Sequence, residues 1–436
     1  MRLIKTATLQ LEEFVDSDDA PNYAILSHTW GSEEVSFAAF AKPESRHLEG
    51  FKKIQSCCAL ARSRGHDFVW IDTCCIDKSS SAELSEAINS MYLWYWESDE
   101  CFAYLSDVRA EGVQGDWRSQ FERSRWFTRG WTLQELVASS RVIFYDANWT
   151  ELGSKGELAG DITTITGIRA YNLCRNPRDA SIAQKMSWAA SRKTTRVEDA
   201  AYCLLGLFDI NMSLLYGERD KAFQRLQEEI LRRSDDESIF AWTNSEYVTS
   251  GLLATSPADF KDAGNIVTST HLERLNREPF SYTNKGLQLD MQGWEVWSNK
   301  DDASAGHEGY FTPTSIICAP ICCKRKGSGR SCMVIFLIRF PDMFPNRTQR
   351  VLMDEMVSFG EEYSQQAMIR ETLYIDQHFT TKQMSKFWPI PIEFVRHGGV
   401  RCAIETRPTA SYLLNWVLLA AIIVKKNSLK YIQSST

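Results

Sequence analysis

The feature that most constrains this chain is a fourfold alternation in its first third, in which short unbroken apolar runs are separated by stretches with helical spacing. The runs are "YAILS" (23–27), "FVWI" (68–71), "CFAYL" (101–105) and "RVIFY" (141–145). Between the first two, Phe51, Ile54, Cys58 and Ala61 recur at helical intervals, and Gly65 is placed to stop that helix. Between the second and third, Ser80 and Glu83 have capping-box spacing. This predicts a helix from about Ala82 whose stripe of Leu84, Ala87, Ile88, Met91 and Tyr95 faces a core. Parallel strands need crossover connections, so the alternation specifies a parallel sheet covered by helices. Runs that are continuously apolar fit strands buried on both faces. The expected fold class is therefore α/β, a flavodoxin-like parallel-sheet domain.

Residues 181 to 233 change character and read as helical. "VEDAAYCLLGLFDI" is expected as one helix and "ERDKAFQRLQEEILRRS" as another, with Phe223, Leu226 and Ile230 on one side. In the second, Glu228–Arg232 and Glu229–Arg233 have the favourable i,i+4 order. After about residue 245, runs such as "FSYTNKGLQLDM" and "MVIFLIRF" predict a β-rich region. The expected organisation is a sheet domain over 1–165 (core 21–165), a helical segment over 166–245 and a β-rich region over 246–436. The sequence contains no repeat of the solenoid kind and no G-x4-G-K-[ST] phosphate loop.

Composition narrows the function classes. A hydrophobic content of 44% allows sizeable cores, and a net charge of -7 argues against a nucleic-acid partner, because phosphate neutralisation needs a basic surface. The opening "MRLIKTATLQLEEF" has no apolar core before a cleavage site, so a secretory signal is not expected. The twelve cysteines then read as reduced thiols of a cytoplasmic protein. Cys57–Cys58 and Cys74–Cys75 read as small buried apolar groups. Cys318, Cys322, Cys323 and Cys332 lack a nearby histidine or a paired C-x2-C, so no metal site is expected. "YLLNWVLLAAIIVKK" is apolar over thirteen residues, 412–424. A membrane span needs roughly 17–25 such residues, so a buried helix or docking segment is expected instead.

In an open parallel sheet, ligands bind beyond the carboxyl ends of the strands. Those ends carry Ser27-His28-Thr29-Trp30, Asp72-Thr73 and Ser106-Asp107. His28 has two readings, orienting a ligand or bonding neighbouring backbone. Asp72 and Asp77 have two as well: binding ligand hydroxyls or a cation, or capping the helix that follows. The pattern W-x3-E occurs four times, at Trp30/Glu34, Trp96/Glu100, Trp131/Glu135 and Trp242/Glu246.

"YAILSHTWG", "FVWIDTCCIDK", "AINSMYLWYWESDECFAYLSDV" and "RGWTLQELVAS", in that order over roughly residues 21 to 165, resemble the fungal heterokaryon incompatibility (HET) domain. "TTRVEDAAYCLLGLFDINMSLLYGE…AFQRLQEEI" is similar to the stretch that often follows that domain. The resemblance implies a role in programmed cell death when genetically different fungal cells fuse, an innate-immunity-like system. The family is remotely similar to TIR domains, some of which hydrolyse NAD⁺ with a glutamate in a pattern close to S-x6-W-C-x2-E. Ser124, Trp131 and Glu135 match that spacing, with Thr132 in place of cysteine. The other three copies carry Tyr23, Asn89 and Asp235 at the serine position, and only the Glu135 copy also follows the third strand.

On this resemblance Glu135 is the candidate catalytic residue, and Ser27, His28, Trp30, Asp72, Arg129 and Trp131 are the candidates for binding the dinucleotide. Trp131 or Trp30 would offer an aromatic face to a base, and Arg125 or Arg129 would meet the pyrophosphate. NAD⁺ is the expected substrate, and no cofactor is required. Expulsion of neutral nicotinamide needs no general acid, but charge on the ribose resembles the oxocarbenium state of glycoside hydrolysis, which a fixed anion stabilises. The rival expectation is a non-enzymatic module that self-associates and recruits death-signalling partners, since fold does not decide function. Both readings imply self-association through the HET domain and a protein trigger, with residues 245–436 sensing it or holding the domain apart.

Overall fold

The computed structural model describes residues 1–15, 19–110, 117–244, 249–269, 278–298, 315–328, 332–339, 348–351, 357–359 and 369–375. They fall into two compact units, one of residues 1–230 with 255–264 and the other of 231–254 with the described residues from 265 onward.

The first unit is built on a seven-stranded sheet. Its strands are β1 Arg2–Lys5, β2 Gln10–Glu13, β3 Ala24–His28, β4 Phe68–Trp70, β5 Glu100–Tyr104, β6 Val142–Tyr145 and β7 Glu151–Ser154, in the spatial order β2-β1-β4-β3-β5-β6-β7. The central four, β4-β3-β5-β6, are parallel and coincide with the four apolar runs. By chain order they lie second, first, third, fourth, as in flavodoxin-like sheets. The outer strands pair antiparallel. All five residues of β3 are buried, which is why its sequence shows no alternation.

Helices cover both faces. α1 (Glu49–Ser63) ends before Gly65, whose φ of 90° suits a residue without a side chain. α2 (Ser81–Glu97) begins where Ser80 Oγ accepts from the Glu83 amide at 3.3 Å. The expected reciprocal box is only half present, because the Glu83 carboxylate turns to the Asp77 amide at 2.7 Å and to Arg2. After β5 come α3 (Trp117–Arg123) and α4 (Thr132–Ala138), and every residue of α4 is buried. Right-handed crossovers place α1 on one face of the sheet and α2 and α4 on the other. Trp70 of β4 meets Trp94 and Tyr95 of α2 edge-on, and Cys57, Cys58, Cys74 and Cys75 are buried free thiols.

Residues 166–230 of the helical segment belong to the same unit. α5 (Ile182–Ala189) starts with a complete capping box, Ser181 with Gln184, and Gln184 also reaches the Gly264 carbonyl at 3.1 Å. The single helix expected over "VEDAAYCLLGLFDI" is broken into a helical turn, Asp199–Tyr202, and a 3₁₀ turn, Gly206–Phe208, closed by Asp209 at φ 57°. Gly206, a poor helix former, opens the 3₁₀ turn in close approach to α2, where a Cβ would lie 2.0 Å from Tyr92 Cβ. α6 (Lys221–Arg233) forms as expected, with Phe223, Leu226 and Ile230 buried.

The second unit is a largely antiparallel sheet whose central strands are Cys332–Arg339, Ser315–Ile321, Gly286–Ser298 and Ile369–Ile375. The apolar segment 412–424 lies outside the described residues. Among the described residues no helix is long and apolar enough to cross a membrane.

Candidate active site

The direction of sheet growth reverses between β3 and β5, so the strand ends there flank the crevice in which such folds bind ligands. Consecutive residues of a strand point to opposite faces. Ser27 and His28, the last two residues of β3, therefore start two separate polar clusters.

The Ser27 cluster contains Glu135. Ser27 Oγ accepts from Trp126 Nε1 at 2.9 Å and donates to Glu135 Oε2. Tyr95, from α2, donates to the Leu26 carbonyl at 2.9 Å and faces the same carboxyl. Glu135 is 7% exposed, so it is not a solvated helix residue. Burial pushes its pKa from 4.5 up to about 8; the Ser27 hydrogen bond, Arg192 and Tyr95 pull the other way, and the charge of Asp72 adds to the rise. Arg192 arrives from beyond α5, its Nη1 donating to the Arg129 carbonyl at 2.8 Å and to Thr132 Oγ1 at 3.0 Å. The guanidinium is thus tied to the first turn of the helix that carries Glu135.

The His28 cluster lies on the α1 face. The His28 side chain is 1% exposed, and neither ring nitrogen makes a hydrogen bond. Nε2 lies 3.7 Å from Asp72 Oδ1 and 3.8 Å from Glu34 Oε2. Burial lowers the His28 pKa to about 4, helped by Lys53 and opposed by Asp72 and Glu34. The imidazole is neutral at pH 7. Burial disfavours the charge on Asp72, but Lys78, His28 in its charged form and the Trp30 indole, whose Nε1 donates at 2.9 Å, outweigh it and hold the carboxyl below its ordinary range. The pKa of Glu34 is likewise lowered against burial, by His28 in its charged form, Lys53 and the Gly31 amide. Trp30 is 49% exposed, with Lys78 Nζ 3.6 Å from its ring centroid.

Four of the residues expected to bind the dinucleotide, Ser27, His28, Trp30 and Asp72, thus gather at the ends of β3 and β4. The other two turn to the helical segment: Arg129 Nη2 reaches Thr195 Oγ1 at 3.3 Å, and Trp131 Nε1 reaches Asp199 Oδ2 at 3.4 Å. Ser124, picked out by spacing, caps the 3₁₀ turn Arg125–Thr128 and donates to Asp107 at 2.7 Å; the serine on Glu135 is Ser27. Arg125 binds Asp107 and Ser106. Asp77 accepts from Ser79 in a local turn.

Sequence reasoning missed Glu34, Lys53, Lys78, Trp126 and Arg192. Glu34 had a signal, since it closes the first W-x3-E copy. Lys53 and Arg192 had none, because only the tertiary fold brings α1 and the 192 turn to the strand ends.

Fold and site together define a doubly wound α/β domain whose buried carboxylate sits at the switch point of its sheet. Residues 23–115 match the family model described as heterokaryon incompatibility protein (HET), and residues 221–250 match a domain of unknown function, DUF8212. The chain is 44% identical over 222 residues to the vegetative incompatibility protein HET-E-1 of Podospora anserina, which covers 49% of this chain and 16% of that protein. No solved structure matches. The first unit of this chain contains a heterokaryon incompatibility (HET) domain.

Proposed function

We propose that this chain is a cytoplasmic effector of heterokaryon (vegetative) incompatibility, and that its HET domain hydrolyses NAD⁺ when clustered, with Glu135 as the catalytic carboxylate. The similarity to a vegetative incompatibility protein supports the biological role. The observation that carries the chemistry is the buried Glu135, bonded by Ser27 at the carboxyl end of β3.

Glu135 is mostly protonated in the free protein near pH 7, with about a tenth ionised when the pKa is about 8. A bound pyridinium supplies the missing counter-charge and draws the carboxyl into its anionic form. The C–N bond to nicotinamide then breaks with its electron pair leaving on the ring nitrogen, which becomes neutral. Positive charge develops on the ribose carbon, and the fixed Glu135 anion stabilises it more than it stabilises the substrate. Water adds to that carbon and gives its proton to Glu135 or to solvent, leaving ADP-ribose. Ser27, oriented by Trp126, holds the carboxylate for this role.

A specific observation favours self-association. α2 exposes Leu93 and Trp96, one turn apart, at 45% and 46%, and this pair is the contact proposed for self-association. The non-enzymatic adaptor reading uses this surface alone. Nicotinamide release from NAD⁺ by the clustered protein, lost in Glu135→Gln, supports the enzyme; its absence in a folded, clustered protein leaves the adaptor.

A further inference from the structure

Buried polar groups are almost always hydrogen-bonded, and His28 departs from this, with a side chain that is 1% exposed and two ring nitrogens without partners. Glu34 Oε2, 3.8 Å away, is also buried and without a hydrogen bond. We infer that His28, Glu34 and Asp72 form a subsite for the vicinal hydroxyls of a ribonucleoside, with Trp30 as the surface on which its base stacks. This rests on the reading of the domain as a consumer of NAD⁺, and it assigns the ribose remote from Glu135 to this cluster.

The chemistry of the cluster selects the ligand. A neutral imidazole offers one donor and one acceptor, and the two flanking carboxylates offer acceptors only. Two hydroxyls match the three buried atoms that lack partners: one accepts from the imidazole N–H, and their two protons go to the other ring nitrogen and to Glu34 Oε2. A phosphate does not, because the imidazole is neutral and Lys53 and Lys78 are already engaged by Glu34 and Asp72. A metal ion fits no better: among the described residues no group of three or more His, Cys, Asp or Glu side chains is arranged to hold one.

The proposed entry is past Trp30, which is 49% exposed, and Lys78. Both lean on Asp72, the indole at 2.9 Å and the ammonium at 3.5 Å, and Lys78 lies over the ring face that a base would occupy. Exchanging the ammonium for a base leaves the aromatic face covered and frees Lys78 to follow the ligand. Ser27 and His28 are adjacent on β3, so a dinucleotide crossing this strand end meets the Glu135 cluster with one ribose and the His28 cluster with the other.

The test is binding to the full-length protein carrying Glu135→Gln, titrated by calorimetry with adenosine and with 2′,3′-dideoxyadenosine. Adenosine should bind, and loss of the two hydroxyls should weaken binding about tenfold or more. Glu34→Gln, close in shape to the native side chain, should weaken adenosine by a similar factor and leave the dideoxy compound unchanged. Equal affinities for the two nucleosides, or no adenosine binding at millimolar concentration by protein with a native melting transition, overturn the inference. The two readings separate cleanly. Hydroxyl-dependent binding without nicotinamide release from the wild type removes the enzyme and keeps the subsite. Release with equal affinities does the reverse.

Discussion

Glu135→Gln should change how stability depends on pH, and the size of the change follows from the burial of one carboxyl. Burial raises the Glu135 pKa from 4.5 to about 8. The folded state therefore binds that proton more tightly than the unfolded chain does. This contribution to stability is fully present below pH 4.5 and is lost as pH rises through about 8. At about 1.36 kcal/mol per pH unit, roughly 3 kcal/mol has gone by pH 7 and about 5 kcal/mol above pH 8. Gln has no proton to lose and should escape this loss. It can still accept from Ser27, so the variant should fold. Urea denaturation of both proteins in parallel from pH 4.5 to 9, followed by tryptophan fluorescence, reads the difference. Other titrating groups, including His28, are common to both and cancel. The variant should gain on the wild type steadily across this range, by a few kcal/mol in total. A difference that does not vary with pH would mean that Glu135 titrates like a solvated carboxyl and that its environment has been misread.

Three further outcomes follow. Arg192 favours the ionised form of Glu135, so Arg192→Gln should move the ionisation that limits nicotinamide release to higher pH; an unchanged pH profile would show that Arg192 only braces Arg129 and Thr132. Glu100, with a side chain 2% exposed, binds Arg64 at 2.6 and 2.9 Å and Arg141 at 3.0 Å, and Glu100→Gln should cost about 1–3 kcal/mol in denaturation. Burial opposes ionisation of Glu100, but Arg64 and Arg141 outweigh it and lower its pKa, so the wild type should lose this advantage as pH falls. Gly206→Ala, whose new Cβ would lie 2.0 Å from Tyr92 Cβ, should cost about 1–3 kcal/mol and lower the melting temperature. An unaltered melt would refute that close approach.

The parallel strands were legible because burial on both faces removes any need for polar residues, leaving "AIL", "FVW" and "VIFY" as unbroken signals. The edge strands were not. In β2, "QLEE", three of four residues are exposed, and β1 and β7 are equally short, so neither apolar run nor alternation marks them. The strand-end position of Ser27, His28 and Asp72 followed from the fold class alone. The burial of Glu135 did not, because "TLQELVA" carries polar residues that look solvated in sequence yet are enclosed by neighbours from elsewhere in the chain. Spacing could nominate Ser124, but a spacing rule holds only local partners, and the hydroxyl on Glu135 comes from a strand 108 residues away. The glycine inside "CLLGLF" was a local sign against a continuous helix, but the close approach of Gly206 to Tyr92 was not, since no local pattern around 206 contains Tyr92.

The measurement that bears most directly on the account is nicotinamide release from NAD⁺ by the full-length chain, first dilute and then artificially clustered, beside Glu135→Gln in the same two states. The expected result is release by the wild type on clustering and none by the variant, with both proteins folded. No release from the clustered wild type, or equal release from the variant, would contradict it and leave Glu135 as a buried structural carboxyl.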